Sequence, residues 1–386
     1  MTRRLTIGMF TDSYSPEING VVTSIAGSVQ NLRRRGHRVL VVAPAHDGVA
    51  ERDPDVFRFR STPFPFYRQM RMAFPLPAKL MLSLPRMPFD VIHTHSLFFV
   101  GCLGAFLAQR RGTPLAFTYH TRWTEYSHYM PWSQQLTKAQ AVWISREFCN
   151  RCTSVIAPTR GMADMLRGYA VERPIAVIPT GVDLDAFRGG SPDPEAIRAA
   201  AGGPIVLYAG RLGREKNLDL LLDAFAVVAN RVGDARLVVV GCGPYEDKLR
   251  ARAAALPCAA RISFTGPLDK PELGSYYRSA DVFAFASVTE TQGLVLAEAM
   301  AHGVPVAAVD CPVSREVVSG DAGLLAADRP ESFAAAIEAL LRCDAPERAR
   351  RRGAALAAAT PFSIDALTDE LEALYFRCVE PRHEAR

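Results

Sequence analysis

Short apolar runs alternate with amphipathic stretches twice along this chain of 386 residues, and this alternation limits what the chain can fold into. In the first half, runs such as Ser154–Ala157 are separated by helical patterns such as Phe99–Arg111. The pattern restarts at Ile205–Ala209 and continues through Val282–Phe285. Because alternating strands and helices form parallel sheets covered by helices, the sequence predicts an α/β fold with two domains, each built on a parallel sheet.

The boundary between the two domains is expected where this periodicity fails. Over residues 180–192, Gly, Pro and Asp replace the regular spacing of apolar residues. The sequence therefore predicts an N-terminal domain over residues 1–182 and a C-terminal domain over residues 183–360. A last helical pattern, over about residues 364–378, follows Thr360 and Pro361.

Positive charge is concentrated in the first half of the chain. Residues 1–180 carry 22 Lys and Arg against 11 Asp and Glu, whereas residues 181–386 carry 23 against 29. A basic surface can attract nucleic acid or an anionic membrane. No zinc-finger, RRM-like or helix-turn-helix pattern accompanies the charge, so a nucleic-acid partner is not expected.

Basic and aromatic residues are also mixed over residues 57–74 and 132–146. This mixture is typical of a membrane surface, but core packing with solvated arginines explains it equally well. No run of 18 or more apolar residues is present, so no segment is expected to cross a membrane. The eight cysteines are scattered in mostly apolar surroundings, which indicates a reducing, cytoplasmic compartment.

Two acidic residues flank a glycine after the predicted strand Val282–Phe285. Glu290 lies in the turn at the carboxyl end of this strand, where open α/β sheets bind ligands. Gly293 precedes the next predicted helix, and Glu298 lies within it. Two carboxylates at this spacing can bind different hydroxyl groups of one molecule, while the free N–H groups of the helix suit a phosphate. The alternative is an ordinary turn with solvated glutamates.

Cations and glycines follow other predicted strands of the second half. Arg211 and Lys216 come after Ile205–Ala209, where they could stabilise the negative charge of a departing nucleoside diphosphate. A surface role is the alternative for Arg211. Gly241 and Gly243 follow the next strand, where they could admit a nucleotide base or simply form a turn.

In the first half, Gly20 stands at the head of a predicted helix, where backbone N–H groups could reach a diphosphate. A plain turn is the alternative for this glycine. The sequence here is not GxGxxG, so no nicotinamide or flavin cofactor is indicated. His93 and His95 end one predicted strand; we expect their side chains on opposite faces of this strand, and therefore do not expect them to share a metal.

Taken in order, these motifs resemble those of retaining GT-B glycosyltransferases of the family 4 type. The segments that carry the resemblance include Pro-x-x-Asn-Gly-Val at residues 16–21, Gly-Arg…Glu-Lys at residues 210–216 and the acidic motif at residues 290–298. The Tyr-His-Thr segment at residues 119–121, with its following Glu-Tyr and His-Tyr, is similar to that of enzymes that glucosylate diacylglycerol. The resemblance implies two facing Rossmann-like domains with a cleft between them. It also implies that the segment of about residues 361–386 crosses back to the first domain.

The resemblance implies roles for particular residues. It assigns catalytic roles to His120, Glu290, Arg211 and Lys216. It assigns donor binding to Gly20, Arg211, Lys216, Gly241, Gly243, Glu290, Thr291, Gln292, Gly293, Leu294 and Glu298. Acceptor contacts are expected at Arg122, Trp123 and Tyr126. Many family members have a glycine near residue 313, so Val313 is a departure that bears on donor fit.

The expected function is therefore that of a retaining hexosyltransferase. The resemblance implies transfer of glucose from a UDP-sugar to a membrane lipid such as diacylglycerol, without a metal or other cofactor. The basic first domain would hold the enzyme at the inner face of the membrane. A GDP-mannose-dependent mannosyltransferase acting on a phosphoinositide or glycan is the nearest alternative, and a non-catalytic sugar-nucleotide or membrane-binding module is the alternative of another class. The oligomeric state is left open.

Overall fold

In the computed structural model, the described residues are 3–17, 19–64, 67–74, 78–124 and 133–380. The chain forms two compact units. Unit 1 contains the residues up to Gly181 together with those from Ile364 onward, and unit 2 is Val182–Ser363. Each unit is built around its own parallel sheet, which confirms the predicted pair of Rossmann-like domains.

Unit 1 alternates strands and helices along most of its length. Its strands are β1 Thr6–Phe10, β2 Arg38–Pro44, β3 Val56–Phe59, β4 Ser61–Phe64, β5 Tyr67–Ala73, β6 Val91–Thr94, β7 Leu115–Thr118, β8 Ser154–Ala157 and β9 Ile175–Val177. Its helices before the first boundary are α1 Gly20–Arg34, α2 Ala78–Ser83, α3 Phe99–Arg111, α4 Gln134–Asn150 and α5 Arg160–Gly168. The main sheet has the order β3-β2-β1-β6-β7-β8-β9, and β4 pairs with β5 as a separate antiparallel hairpin.

Unit 2 repeats the plan. Its strands are β10 Ile205–Ala209, β11 Arg236–Val240, β12 Ile262–Gly266, β13 Val282–Phe285, β14 Val306–Val309 and β15 Gly323–Ala326. Its helices are α6 Pro194–Ala201, α7 Leu218–Arg231, α8 Glu246–Ala254, α9 Lys270–Ser279, α10 Leu294–Ala301, α11 Pro312–Val317, α12 Pro330–Leu341 and α13 Ala345–Ala359. The sheet order is β12-β11-β10-β13-β14-β15, with all neighbouring pairs parallel.

The central strands of unit 2, such as β10 and β13, are buried on both faces, which explains their nearly unbroken apolar sequences. Along β10, Val206 and Tyr208 pack into the apolar cluster that contains α7, whereas Ile205 and Leu207 pack into the cluster that contains α10. The two strand faces therefore contribute to separate cores. In each unit, successive strands are added first on one side of the unit's first strand and then on its other side. The strand order therefore reverses between β1 and β6 and between β10 and β13, and these positions are the topological switch points of the two sheets.

The last helix, α14 Ile364–Val379, belongs to unit 1, as predicted. Its buried residues recur at helical spacing, and Leu367, Leu371 and Tyr375 join the apolar cluster formed by β1, β2 and α1. Gly27 of α1 leaves room for this packing, since a Cβ there would lie 3.3 Å from the Ile364 side chain. Among the described residues, no helix has the length and apolarity needed to cross a membrane.

Candidate functional site

Three turns are joined by hydrogen bonds at the carboxyl edge of the unit 2 sheet. In the turn after β10, the Leu212 amide donates to the Cys242 carbonyl of the turn after β11, at 2.9 Å. The hydroxyls of Ser287 and Thr289, in the turn after β13, donate to the Glu215 carbonyl at 3.2 and 3.3 Å. The predicted donor-site residues of these turns therefore lie at one sheet edge, beside a switch point.

Gly241 and Gly243 allow the first two turns to approach each other. A Cβ at Gly241, where φ is 128°, would lie 1.9 Å from the Gly210 carbonyl oxygen. A Cβ at Gly243 would lie 2.4 Å from the Leu212 carbonyl oxygen. Contact between the turns thus explains both glycines by itself. Any approach of a nucleotide to this backbone would be an additional role.

The predicted cations are both paired with carboxylates of unit 2. The Lys216 ammonium donates to the Glu290 carboxylate, and Arg211 lies 3.5 Å from the Glu215 carboxylate. Lys216 and Glu290 are about four-fifths buried, so their charges are only partly screened by water. Arg214 in the same turn is exposed. The pairing brings together a cation and a carboxylate that the sequence analysis treated as separate groups.

The turn between β13 and α10 ends at a glycine with a left-handed backbone. Gly293 has φ of 68°, and Leu294 begins the helix after it. A Cβ at Gly293 would lie 3.0 Å from the Leu296 side chain and 3.2 Å from that of Val313. Val313 is buried, so this departure from the resembled family fills space behind the turn. Thr291 and Gln292 lie on the same turn, and Gln292 is buried.

Glu298 is buried within α10. One of its carboxylate oxygens accepts a hydrogen bond from the Tyr277 hydroxyl at 3.0 Å. Burial raises the pKa of Glu298 to about 7, although Lys270 and the Tyr277 hydrogen bond oppose the shift. His302 stacks on the Tyr277 ring, with centroids 5.0 Å apart. The carboxyl group can therefore exchange a proton near neutral pH while its position is held by an aromatic neighbour.

In unit 1, Gly20 is the first residue of α1. Asn19 caps the helix, and its side-chain oxygen accepts a hydrogen bond from the Val22 amide at 2.9 Å. Gly20 is exposed, and a Cβ there would meet no atom within 4 Å. Intramolecular packing among the described residues therefore gives no reason for a glycine at this helix end.

Asp12 is a buried carboxyl that the sequence analysis missed. It follows β1 and accepts hydrogen bonds from the Ser96 hydroxyl at 2.6 Å and the Val100 amide at 2.8 Å. Burial raises the pKa of Asp12 to about 6. An acidic residue directly after the first apolar strand was the signal that could have found it. Its oxygens hold the turn after β6 and the beginning of α3 close to β1.

The histidine prediction was wrong in its geometry. His93 and His95 were expected on opposite faces, yet their ring centroids lie 4.0 Å apart. Side chains alternate along a strand with a period of two, so residues two apart point to the same face, and the expected opposite orientation misapplied this period. His120, after β7, contacts the same group, and its Nε2 lies 3.0 Å from Nδ1 of His95. Among the described residues, no group of three or more His, Cys, Asp or Glu side chains is placed to share a metal ion.

The predicted acceptor residues lie just beyond His120. Trp123 is partly buried, and its ring meets the Phe98 ring edge to face with centroids 4.7 Å apart. The Arg122 Nε atom is buried. Tyr126 lies outside the described residues. Gly20 and His120 both follow strands of the unit 1 sheet at its carboxyl edge.

Two Rossmann-like units with these turns define a glycosyltransferase of the GT-B type. Residues 18–186 match the family described as Glycosyltransferase Family 4, and residues 203–343 match the one described as Glycosyl transferases group 1. The chain belongs to glycosyltransferase family 4, which confirms the resemblance noted in its motifs. It is therefore an enzyme that transfers sugars.

Two relatives align over most of the chain. The alpha-monoglucosyldiacylglycerol synthase of Streptococcus pneumoniae is 32% identical over 321 residues, which cover 81% of this chain and 73% of that protein. The GDP-mannose-dependent alpha-mannosyltransferase of Mycolicibacterium smegmatis is 30% identical over 389 residues, covering 96% and 98%. Anabaena HepE, solved with UDP and glucose, has a TM-score of 0.77 at 20% identity, covering 97% of this chain and all of that one. This last likeness concerns the fold.

Proposed function

We propose that this enzyme transfers glucose from UDP-glucose to a membrane lipid such as diacylglycerol, with retention at the anomeric carbon. The observation that carries the proposal is the set of charged side chains at the carboxyl edge of the unit 2 sheet, with Lys216, Glu290 and Arg211 on turns beside a switch point. The named activity of the Streptococcus pneumoniae relative supports glucose and diacylglycerol as the substrates.

Unit 2 would bind the donor. Arg211 and Lys216 hold the diphosphate, and Glu290 accepts hydrogen bonds from hydroxyls of the sugar. Glu298 does the same for the ribose through the carboxylate oxygen that Tyr277 leaves unoccupied. The turn of residues 291–294 places backbone N–H groups near the phosphates, and the turn that contains Gly241 and Gly243 forms the wall near the base.

Unit 1 would bind the acceptor. Arg122, Trp123 and Tyr126 contact it, Gly20 lets the start of α1 approach the diphosphate, and His120 steadies the transferred sugar. Transfer breaks the bond between the anomeric carbon and the diphosphate oxygen, and forms one from that carbon to the acceptor oxygen on the same face. The acceptor proton passes to the departing phosphate. Because Arg211 and Lys216 stabilise the charge that develops on this leaving group, transfer needs no metal ion.

The membrane would be reached through the basic unit. Helix α4 exposes Leu136 and Trp143, seven positions apart, with 63% and 60% of their surfaces accessible. Residues at this spacing lie on one side of a helix, so the two form an apolar stripe. Together with the excess of Lys and Arg in residues 1–180, the stripe suits peripheral binding to an anionic bilayer at the cytoplasmic face.

Transfer of mannose from GDP-mannose is the second candidate. It is favoured by the Mycolicibacterium smegmatis relative, which aligns with nearly the whole chain. The turns described above would bind phosphates and hydroxyls, and both donors contain these groups. The discrimination between the donors therefore has to be measured.

A donor and acceptor screen tests the proposal. The full chain is incubated with radiolabelled UDP-glucose or GDP-mannose and vesicles that contain diacylglycerol or phosphatidylinositol, with and without EDTA. Labelled glucosyldiacylglycerol, formed equally well in EDTA, is the expected product. Labelled lipid from GDP-mannose alone would support the second candidate. Donor binding without turnover on any acceptor would indicate a non-catalytic module.

A further inference from the structure

The ring of His95 lies between two other histidine rings in unit 1. Its centroid is 4.0 Å from that of His93 and 5.3 Å from that of His120, with interplanar angles of 37° and 22°. His93 and His95 are buried, whereas His120 is partly exposed. His120 is therefore the member of this stack that can reach a ligand, and His95 is the member that holds it.

His93, the ring on the side of His95 away from His120, is held in place by hydrogen bonds. Nδ1 of His93 lies 2.6 Å from the Tyr375 hydroxyl of α14, and its Nε2 lies 2.7 Å from the Thr118 hydroxyl of β7. Both ring nitrogens of His93 are thus occupied, so His93 supports the His95 ring by tilted ring contact and not by a hydrogen bond. His95 contacts His120 by a hydrogen bond as well.

That hydrogen bond joins Nδ1 of His95 to Nε2 of His120 at 3.0 Å. Burial lowers the pKa of His120 to about 4 and that of His95 well below its usual value. Both rings are therefore neutral near pH 7, and each carries one proton. One ring must donate in this bond and the other accept, because a neutral imidazole has one N–H and one bare nitrogen.

The other nitrogen of His95 decides between the two arrangements. Nε2 of His95 is buried, and no described residue is its hydrogen-bond partner. If His120 donated, His95 would carry its proton on Nε2, as a buried N–H without an acceptor. If His95 donates, only a lone pair remains unmatched. Buried donors without partners are rarer than under-satisfied acceptors, so donation from His95 is the favoured arrangement.

We propose that His95 is a positioning residue that fixes His120 in its Nδ1–H tautomer, so that His120 presents an N–H donor to a hydroxyl oxygen of the transferred sugar. The sugar contact rests on the proposed function, whereas the tautomer does not. Since Nε2 of His120 is engaged by His95, Nδ1 is the nitrogen left for a ligand. The hydrogen bond thus sets both the ring orientation and the chemical identity of the free nitrogen.

Side-chain ¹⁵N NMR of the full chain, labelled at histidine, tests the tautomer without donor or acceptor. His120→Gln identifies the signals of His120 by their loss. We expect a protonated Nδ1 and a bare Nε2 in the parent protein. His95→Phe keeps the stacked ring but removes the donor, and should move His120 toward the Nε2–H form that free imidazole prefers. His95→Asn places an amide N–H near the position of Nδ1 and should preserve the parent signature.

Kinetics on the same variants test the consequence. His95→Phe should lower kcat for transfer about tenfold with little change in the KM for the donor, and His95→Asn should recover most of that loss. His37→Asn is the matched control: it alters another buried histidine of unit 1, whose ring bonds to the Leu5 amide and Glu372, and should leave the His120 signature unchanged.

Two results would overturn the proposal. One is an Nε2–H tautomer of His120 in the parent protein, and the other is a His120 signature that His95→Phe does not alter. A wrong choice of donor sugar would leave the NMR result standing. Normal transfer by the parent protein together with the opposite tautomer would remove only the positioning role of His95.

Discussion

The ammonium group of Lys216 is paired with the carboxylate of Glu290, although the two residues lie 74 positions apart in the sequence. The pair links the turn after β10 to the turn after β13, and the Glu215 carbonyl links the same turns through Ser287 and Thr289. A diphosphate bound at this edge would compete with Glu290 for the lysine. Under the proposed function, the pair would keep the cation in place before the donor binds, and the carboxylate would be released for hydroxyl groups afterwards.

Replacing this lysine should impair donor use more than folding. Lys216→Ala removes the cation that we propose for the leaving group and leaves Glu290 without its counter-ion, so kcat/KM for the donor should fall about 100-fold. Arg214→Ala, at an exposed cation of the same turn, should stay within about twofold of the parent. Initial rates with radiolabelled donor give both numbers. Equal losses in the two variants would show that general positive charge, rather than the paired lysine, is what matters.

The buried carboxyl of Glu298 should make donor binding depend on pH. Its pKa is about 7, and the ionised form is the better acceptor for ribose hydroxyls. The donor Kd should therefore fall as the pH rises from about 6 to 8. Glu298→Gln should bind donor more weakly, with a Kd that no longer varies over this range. Calorimetric titration with UDP-glucose at several pH values measures both effects.

The same group gives a separate signature in stability. Its folded-state pKa is raised from 4.5, so the folded chain holds this proton more tightly than the unfolded chain does. The resulting stabilisation is complete below about pH 4.5 and is lost as the pH rises through 7. Relative to Glu298→Gln, the parent should lose about 3 kcal/mol of unfolding free energy across this range. Denaturation curves of the parent and the variant at pH 5 and pH 8 measure this loss. An equal change in unfolding free energy in both proteins would contradict the raised pKa.

Much of the fold could be predicted because its strands are buried on both faces. Ser154–Ala157, Ile205–Ala209 and Val282–Phe285 were predicted with the bounds that the structure has, since each is a short apolar run between turn residues. Strand β15 was missed because Leu325 is exposed at the edge of the sheet, which weakens the pattern. The β4–β5 hairpin was missed because Pro63, Arg68 and Arg71 obscure strand alternation.

The candidate site was predictable only in part, for a related reason. Residues such as Glu290 could be placed at a strand end from the local pattern. The Lys216–Glu290 pair and the contact of His95 with His120 depend on how separate turns meet, which no local pattern contains. Asp12 was visible in the sequence, but its importance comes from the α3 amide that it binds across 88 positions.

Substitution of Gly20, the exposed glycine at the start of α1, distinguishes a role in ligand binding from a role in stability. Gly20→Ala adds a methyl group that meets no atom within 4 Å, and alanine is the better helix former, so the variant should be as stable as the parent or slightly more so. If the helix start approaches a diphosphate, kcat/KM for the donor should nevertheless fall about tenfold. Thermal unfolding and initial rates are measured on the same preparations.

Gly241→Ala is the contrasting variant. Its methyl group would meet the Gly210 carbonyl oxygen at 1.9 Å, so stability and activity should fall together. A fully active Gly20→Ala enzyme would rule out close approach of the diphosphate to this residue.

The exposed stripe on α4 should contribute to membrane binding. Replacing Leu136 and Trp143 together by glutamine removes two exposed apolar side chains without opening the core, so the fold should be retained while partition into anionic vesicles falls about tenfold or more. Sedimentation with vesicles that contain phosphatidylglycerol measures the partition, and transfer to a short-chain diacylglycerol in detergent reports whether the catalytic site is intact.

Leu356→Gln, at an exposed leucine of unit 2, is the matched control and should partition like the parent. Because basic side chains also attract the vesicles, raised salt should weaken binding of every variant. A double variant that still binds as the parent does would assign the membrane contact to charge alone.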